Sequence, residues 1–523
     1  LVAYLHDSVR DGDLVLIKGS RRNSDFGGVA RLLVEKSIQQ MHADDLSTPT
    51  ERPCNATTFA DYFRGQWLVR PTPDWTPGRM IASLSKARAG DFIPIVSRKE
   101  KSRIGVSLKH INEQGLPSKA CLITDRPVNP GDESIPVLKV DSIQAAVEKW
   151  VYNHRRQYQG TLFSITGSVG KSTTTLMLSR MLKKRGRCLV NLYDNLRSGI
   201  YRSACTLGEQ DFAVFEIAQG SLPSSSRSLR PDIAILLSIS PAHMERHSSL
   251  DALVRCKMQI FEGNPGKGIA VISRDIPYYE IAAAHAQAHG RSIITFGKHK
   301  SSDFKLVSDD PVKRTFTFTM GGRAYECTQS MPGEHLSLNS LAVIASVHAA
   351  GLNWQDFIGD LEQASQPPSG RGNLISVATG DGHSTFLDHS YNSNPQSLKA
   401  ALDMLYKWPA KTDERKIAVL SDMLELGQES QRYHEEIADM LDASQLDLVV
   451  LVGEHMRSIR EKLPDGLQAI TLEQTNDVFT VLPPLLKHGD IVMLKGSNGT
   501  GLRMELRKYL DALQDNVELV ELQ

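Results

Sequence analysis

The sequence predicts a three-domain α/β protein, with a central P-loop domain on a parallel sheet and a C-terminal Rossmann-like α/β domain. Three observations predict it. One is the strand–loop–helix run "GTLFSITGSVGKSTTTLMLSRMLKKRG" (160–186). Another is the recurrence of short, wholly apolar strands between helical stretches, the pattern of a parallel sheet covered on both faces. The third is a change of texture after "PPSGRGN" (367–373), beyond which three more buried strands follow. At 523 residues the chain exceeds what one core supports.

In chain order, "DGDLVLIKGS" (11–20) and "HGDIVMLKGS" (488–497) share G-D-x-V-x-x-K-G-S. Residues 1–40 therefore read as a remnant resembling the end of the domain that closes the chain. With no initiating methionine, a tandem parent polypeptide is expected. The polar, proline-bearing stretch 41–60 reads as linker. Residues 61–158 form a mixed domain with strands in "GDFIPIVS", "ACLITD" and "IPVLKVD" and a helix starting at Ser142. The central domain, 159–368, carries "GTLFSI", "CLVNLY", "FAVFEI", "DIAILLSI" and "GIAVIS" as strands, and Gly186 is expected to cap the loop helix. In 369–523, "KIAVLSDM", "LDLVVLVG" and "DIVMLKGS" are strands, and "SQRYHEEIADMLD" is a helix.

Composition narrows the function. Sixty basic residues balance sixty acidic ones, so no net field draws nucleic acid or an acidic membrane. Six cysteines lack CxxC spacing, which points to reduced thiols in a cytoplasmic protein and excludes a disulfide framework or a cysteine zinc site. The longest clear apolar run, "IAILLSI", is far short of the roughly 20 residues that span a bilayer. No signal peptide is visible.

The loop is compressed. In the common G-x-x-x-x-G-K-[ST] spacing, Ile165 would be the first glycine, whereas Gly167 stands three residues before Gly170. Backbone N–H groups at a helix start still suit a phosphate, with Lys171 neutralising its outer charge and Ser172 holding Mg²⁺. Glu216 ends "FAVFEI", His243 follows "AILLSISPA", and Lys257 lies in "RCKMQIFEG". Alone, each has a plain alternative as ion-pair partner, helix cap or solvated lysine. At the strand C-termini of a parallel sheet, the carboxylate and imidazole face the same crevice as the loop.

These residues, together with "RPDIAILLSISPAHMERHSSLDALVRCKMQIFEG" (230–263), "PGEHLSLNSLAVIA" (332–345), "SGRGN" (369–373), "LDHSYNSNPQSLKAAL" (387–402), "SDMLELGQES" (421–430) and "GDIVMLKGSNGTGL" (489–502), resemble the Mur ligase family, above all its D-alanyl-D-alanine-adding branch, MurF. The motifs follow the family's order over about 340 residues. The resemblance implies a three-domain ATP-dependent ligase that phosphorylates a carboxylate and lets an amine displace phosphate. It implies ATP contacts along Thr166, Gly167, Ser168, Val169, Gly170, Lys171, Ser172 and Thr173, with further cofactor contacts at Asn339, Arg371 and Asp388. It implies Mg²⁺ held through Ser172, Glu216 and His243, with Lys257, carrying a CO₂-derived carbamate, in the same metal group. Lys171, His243 and Lys257 are the implied catalytic residues. Residues 61–158 would bind the acceptor.

The chain departs from the family at several places. Asp388-His389 replaces two acids, Ser421 replaces a glycine, and Asn498 follows "KGS" where arginine is common. "SLSKARAGDFIPI" (83–95) has Ser83-Leu84-Ser85 where relatives carry an acid–serine–arginine trio used toward a uridine nucleotide. Loss of both charges weakens recognition of a base and diphosphate. Three readings stay open: a ligase of small-molecule acid and amine acting on a non-standard acid, with a preceding Mur-like unit in the parent; the orthodox MurF reaction; and a retired nucleotide-binding scaffold. Retention of Lys171, His243 and Lys257 favours an enzyme.

Overall fold

The computed structural model describes residues 52–96, 104–128, 134–192, 194–240, 249–264, 266–380, 382–409, 414–513 and 517–518. The repeat at 1–40, most of 41–60 and His243 lie outside them. The described chain forms two compact units, one running to Tyr158 with Ala204–Gly208, the other holding the rest.

The first unit opens inside the stretch read as linker. Asn55 caps helix Ala56–Phe63, its side chain accepting from the Thr57 and Thr58 N–H groups while Thr58 reaches back, a reciprocal capping box. Four strands follow in the order Gln66–Val69, Val137–Lys139, Cys121–Thr124, Phe92–Pro94, with the first pair antiparallel and the others parallel. Helix Ile143–Gln157 starts where expected, Ser142 Oγ accepting from the Ala145 N–H. The core is aromatic: Phe92 meets Phe59 at 4.9 Å and Trp150 at 4.8 Å between ring centroids, both edge-to-face. Buried Asp91 accepts from the backbone N–H groups of Arg79 and Arg88, both 2.9 Å, and from the Arg79 guanidinium at 2.7 Å. The Gly90-Asp91 pair thus serves as a turn clamp.

The second unit holds two sheets. The central one runs Arg323–Thr328, Thr315–Met320, Phe304–Asp310, Ser292–Gly297, Ile269–Ser273, Ile233–Leu236, Thr161–Thr166, Phe212–Glu216, Cys188–Asn191. From Phe304–Asp310 to Cys188–Asn191 all neighbours are parallel, and the first three strands form an antiparallel meander. Thr161–Thr166 sits between Phe212–Glu216 and Ile233–Leu236, so the loop it launches has a strand end on each side. Helix Lys171–Lys183 buries Met177, Leu178, Met181 and Leu182 completely. Each such side chain contributes about 1.5–3 kcal/mol. The helix ends at Lys184 in ordinary helical geometry. Gly186, expected as its cap, instead lies two residues on, where its N–H reaches the Leu182 carbonyl at 3.1 Å. Helix Glu334–Ala349 packs on that helix and on strands Ile269–Ser273 and Ser292–Gly297.

The last sheet runs Gln468–Leu472, Leu448–Val452, Lys416–Ser421, Ile491–Lys495, Gly382–His389, Asn373–Thr379, Val517–Glu518. Its first five strands are parallel, and the hairpin Asn373–Thr379/Gly382–His389 is antiparallel. Among the described residues no helix is long and apolar enough to cross a membrane.

Candidate active site

The loop is held from beneath by the segment after strand Ile233–Leu236. The Ser168 N–H donates to the Ser238 carbonyl (2.9 Å), the Val169 N–H to Ser238 Oγ (3.0 Å), and Ser168 Oγ to the Ser240 carbonyl (2.8 Å). Those donors are spent, so the first-turn N–H groups of helix Lys171–Lys183 are the backbone donors a phosphate would meet. Gly170 turns the chain into that helix at φ 85°, ψ −14°. A Cβ there would stand 2.5 Å from Asn339 Oδ1, so Asn339 closes over the loop only because the residue is glycine.

Glu216, fully buried, is gripped through both oxygens: Ser172 Oγ donates to Oε2 and Asn195 Nδ2 to Oε1, each at 2.7 Å. A hydroxyl and a carboxylate side by side at a phosphate loop are hard oxygen donors of the kind Mg²⁺ takes, so the residues fit that ion. Lys171 Nζ folds back on its own loop, donating to the Gly167 carbonyl at 2.8 Å. Burial pushes its ammonium down, Arg371 adds to this, and Glu216 opposes it. Lys257, 2% exposed, is pushed down to about 7 by burial and then by the charge of Lys171.

Loop and lysines line one cavity of about 690 Å³, and its far wall comes from the last sheet and the loops around it: Arg371, His389, Tyr391 and Lys495. The Arg371 guanidinium stacks on Tyr391 at 4.2 Å, while its buried Nε has no partner. His389 Nε2 is also buried without one. Burial holds His389 well below the usual imidazole range, and Lys495 and His335 push the same way. Burial, with Arg371, brings Lys495 down to about 7, and its ammonium donates to the Asn392 carbonyl. Unmet donors and crowded cations in one cavity call for a polyanion.

The structure thus gathers Gly167, Ser168, Val169, Gly170, Lys171, Thr173, Glu216, Lys257, Asn339 and Arg371 around this cavity, with Ser172 just behind Glu216. Two expected contacts turn elsewhere. Thr166 Oγ1 donates to the Ile217 carbonyl at 3.0 Å, tying two strands together. Asp388, 2% exposed, accepts from the Ser390 N–H at 3.1 Å and Ser390 Oγ at 2.5 Å, and its neighbour His389 faces the cavity instead. In a strand, adjacent side chains point to opposite faces, so both could not. Asn195, His389 and Lys495 were not foreseen. Lys495 carried a signal, as the lysine of the repeated K-G-S.

Comparison with known proteins bears on the family and the fold. Residues 165–347 match the family model for the Mur ligase middle domain, and 370–498 that for the Mur ligase glutamate ligase domain. The UDP-N-acetylmuramoyl-tripeptide–D-alanyl-D-alanine ligase of Rickettsia prowazekii is 25% identical over 409 residues, 75% of this chain and 86% of that one. Crystal structure I of MurF from Acinetobacter baumannii superposes with a TM-score of 0.74 at 23% identity, covering 89% of this chain and all of that one. The MurF ligase of Thermotoga maritima in complex with ADP gives 0.69 at 20% identity, covering 83% and 98%. The chain belongs to the Mur ligase family of ATP-dependent, ADP-forming ligases.

Proposed function

We propose that the chain joins a carboxylic acid to an amine through an acyl phosphate, and that its acid is not a UDP-muramoyl tripeptide. The observation that carries the chemistry is the single cavity in which a phosphate loop, a doubly held Glu216 and the cations Lys171, Lys257, Arg371 and Lys495 converge. A carboxylate oxygen of the acid attacks the γ-phosphorus of ATP, and the bond to ADP breaks. The amine nitrogen then attacks the acyl carbon, inorganic phosphate leaves with its oxygen, and the nitrogen gives up a proton.

Approach of two anions is the barrier, and fixed positive charge lowers it. Lys171 and the helix N-terminus hold the terminal phosphates, while Arg371 and Lys495 hold the side of the cavity from which the acid or amine arrives. Mg²⁺, held through Ser172 and Glu216, would supply charge neutralisation between the phosphates. Lys257 is suited to carbamylation because only a neutral amine adds to CO₂, forming an N–C bond and releasing a proton. A group near 7 is neutral about half the time at pH 7. His243 enters on its motif alone. Residues 61–158 are the proposed acceptor domain, within a cytoplasmic protein whose parent carries a preceding Mur-like unit.

The acceptor assignment rests on Ser83 and Ser85. Their hydroxyls stand 3.1 Å apart and engage each other, at a place where relatives present an acid and an arginine. The alternative, the reaction for which the Rickettsia relative is named, draws on sequence likeness across three quarters of the chain. The decisive experiment incubates the protein with ATP, Mg²⁺, hydroxylamine and a panel of acids. ADP release with hydroxamate formation is expected for some acid, and none across the panel overturns the ligase chemistry. Turnover of UDP-muramoyl tripeptide with D-Ala-D-Ala at a kcat/KM above about 10⁴ M⁻¹s⁻¹ overturns only the acceptor assignment.

A further inference from the structure

Away from the cavity, Glu262, His285 and His289 bring one donor atom each to within 4.8 Å of one another. The two histidines are four residues apart at the end of helix Tyr279–Ala288, which stacks them on one face, ring centroids 4.5 Å apart. Glu262 comes from the turn that follows the Lys257-bearing helix Leu250–Met258 and the short helix Gln259–Phe261. We propose that these three side chains form a site for a zinc-class divalent cation, unrelated to the catalytic Mg²⁺.

The donor set and its surroundings support this. His289 Nδ1 lies 2.8 Å from the His285 carbonyl, so the N–H sits on Nδ1 and Nε2 keeps its lone pair for a metal. His285 Nε2 is buried and faces Glu262 Oε1 at 3.4 Å, an ion-pair contact outside good hydrogen-bond geometry. Two imidazoles and a carboxylate suit zinc, with water completing four-coordination, and disfavour Mg²⁺, which prefers oxygen. Metal–ligand bonds of about 2.0–2.1 Å place tetrahedral donors roughly 3.3 Å apart, so the three donors, now within 4.8 Å of one another, would draw together by up to about 1.5 Å. Arg291 holds the turn in place from behind, its Nε donating to the Phe261 carbonyl at 2.7 Å and an Nη to the Pro231 carbonyl at 3.0 Å. Arg227 is the competitor: its guanidinium stands 3.5 Å from Glu262 Oε2 and is half exposed, free to swing away. A bound ion would tie the turn beyond Lys257 to helix Tyr279–Ala288.

The test titrates the full chain with Co²⁺ in millimolar Mg²⁺ and follows the visible bands of tetrahedral cobalt. One equivalent is expected to saturate them, and Zn²⁺ to bleach them. His289→Gln should weaken the site by at least about 100-fold. Arg227→Gln, which removes no ligand, should tighten it roughly two- to fivefold. Glu216→Gln should leave the bands intact. Absence of tetrahedral bands, bands unchanged in both His289→Gln and Arg227→Gln, or bands lost in Glu216→Gln overturns the proposal, leaving Glu262 and His285 as an ion pair.

Discussion

Ser172 Oγ donates to Glu216 Oε2 across 2.7 Å, joining the first turn of the loop helix to the end of the neighbouring strand. Register makes this possible: Glu216 pairs with Ile165, one residue before the loop begins to turn. The carboxylate is thus aimed at the loop by the sheet itself, and Asn195 steadies its other oxygen.

Asn195 touches Glu216 and is therefore a positioning residue. Asn195→Ala is expected to raise the Mg²⁺ concentration needed for half-maximal ADP release about tenfold while lowering the saturated rate much less. Second-sphere partners of metal ligands usually cost about 10- to 100-fold in affinity. Magnesium titrations of ATP turnover check it. An equal loss at all Mg²⁺ concentrations would show that Asn195 does something else.

Gly170→Ala should be costly on two counts. The left-handed backbone at φ 85° disfavours any Cβ by about 1–2 kcal/mol, and this one would collide with Asn339 Oδ1. Thermal unfolding with and without ADP is the measurement. We expect a lower Tm and a nucleotide-induced rise that is largely lost. Asn339→Ala in the same background should restore part of the Tm, because it removes the obstacle.

The legibility of this chain followed burial. Strands such as Phe212–Glu216 and Leu448–Val452 are buried along their whole length, so their apolar runs stood out in sequence. The meander Phe304–Thr328 was passed over, although "TFTFTMGG" alternates and Gly321-Gly322, at φ 56° and 79°, make the two-residue turn of a hairpin. Helix Ala56–Phe63 was hidden because its polar start resembles linker, while the Asn55–Thr58 capping box stabilises a helix there. At the site, the loop and Glu216 were readable because motif and strand end coincide, and Lys257, on helix Leu250–Met258, from its motif alone. Asn195 and His389 join them only through tertiary packing, which no local pattern records, whereas Lys495 is marked by the repeated K-G-S. Asp388 is turned inward for a local reason: Ser390, two residues on, donates to its carboxylate through both N–H and Oγ.

The proposed carbamylation of Lys257 would tie activity to pH and CO₂. Its ammonium titrates near 7 in the folded protein against an ordinary 10.5. Between those values the unfolded chain binds more protons, so this residue makes stability rise with pH there; below about 7 the burial cost is felt in full. Lys257→Met should flatten that rise and add on the order of a few kcal/mol at pH 7, while abolishing turnover. ¹³C-labelled bicarbonate should give a carbamate resonance that grows as pH rises through 7 and is absent in the variant. Turnover by Lys257→Ala should return with short carboxylates. Full activity of that variant without rescue would remove Lys257 from the chemistry.

Nucleotide binding should take up protons. Lys495 lies near 7 because burial and Arg371 disfavour its charge, and Lys171 is lowered by burial and by the same arginine. A polyphosphate entering the cavity reverses the balance, since an adjacent anion favours the ammonium form. At pH 7 about half of Lys495 is neutral and available to protonate, so uptake on the order of half a proton per ATP is expected, shrinking as pH falls to 6. Calorimetry of ATP binding in buffers of differing ionisation enthalpy measures it directly, in a Lys257→Met background that removes the other cavity amine near 7. Lys495→Met should bind ATP more weakly and remove most of the uptake, whereas Lys495→Arg, always charged, should remove the uptake and keep the affinity. If uptake survives in Lys495→Arg, the protons go to another group, and the cations of this cavity are not coupled in the way their burial implies.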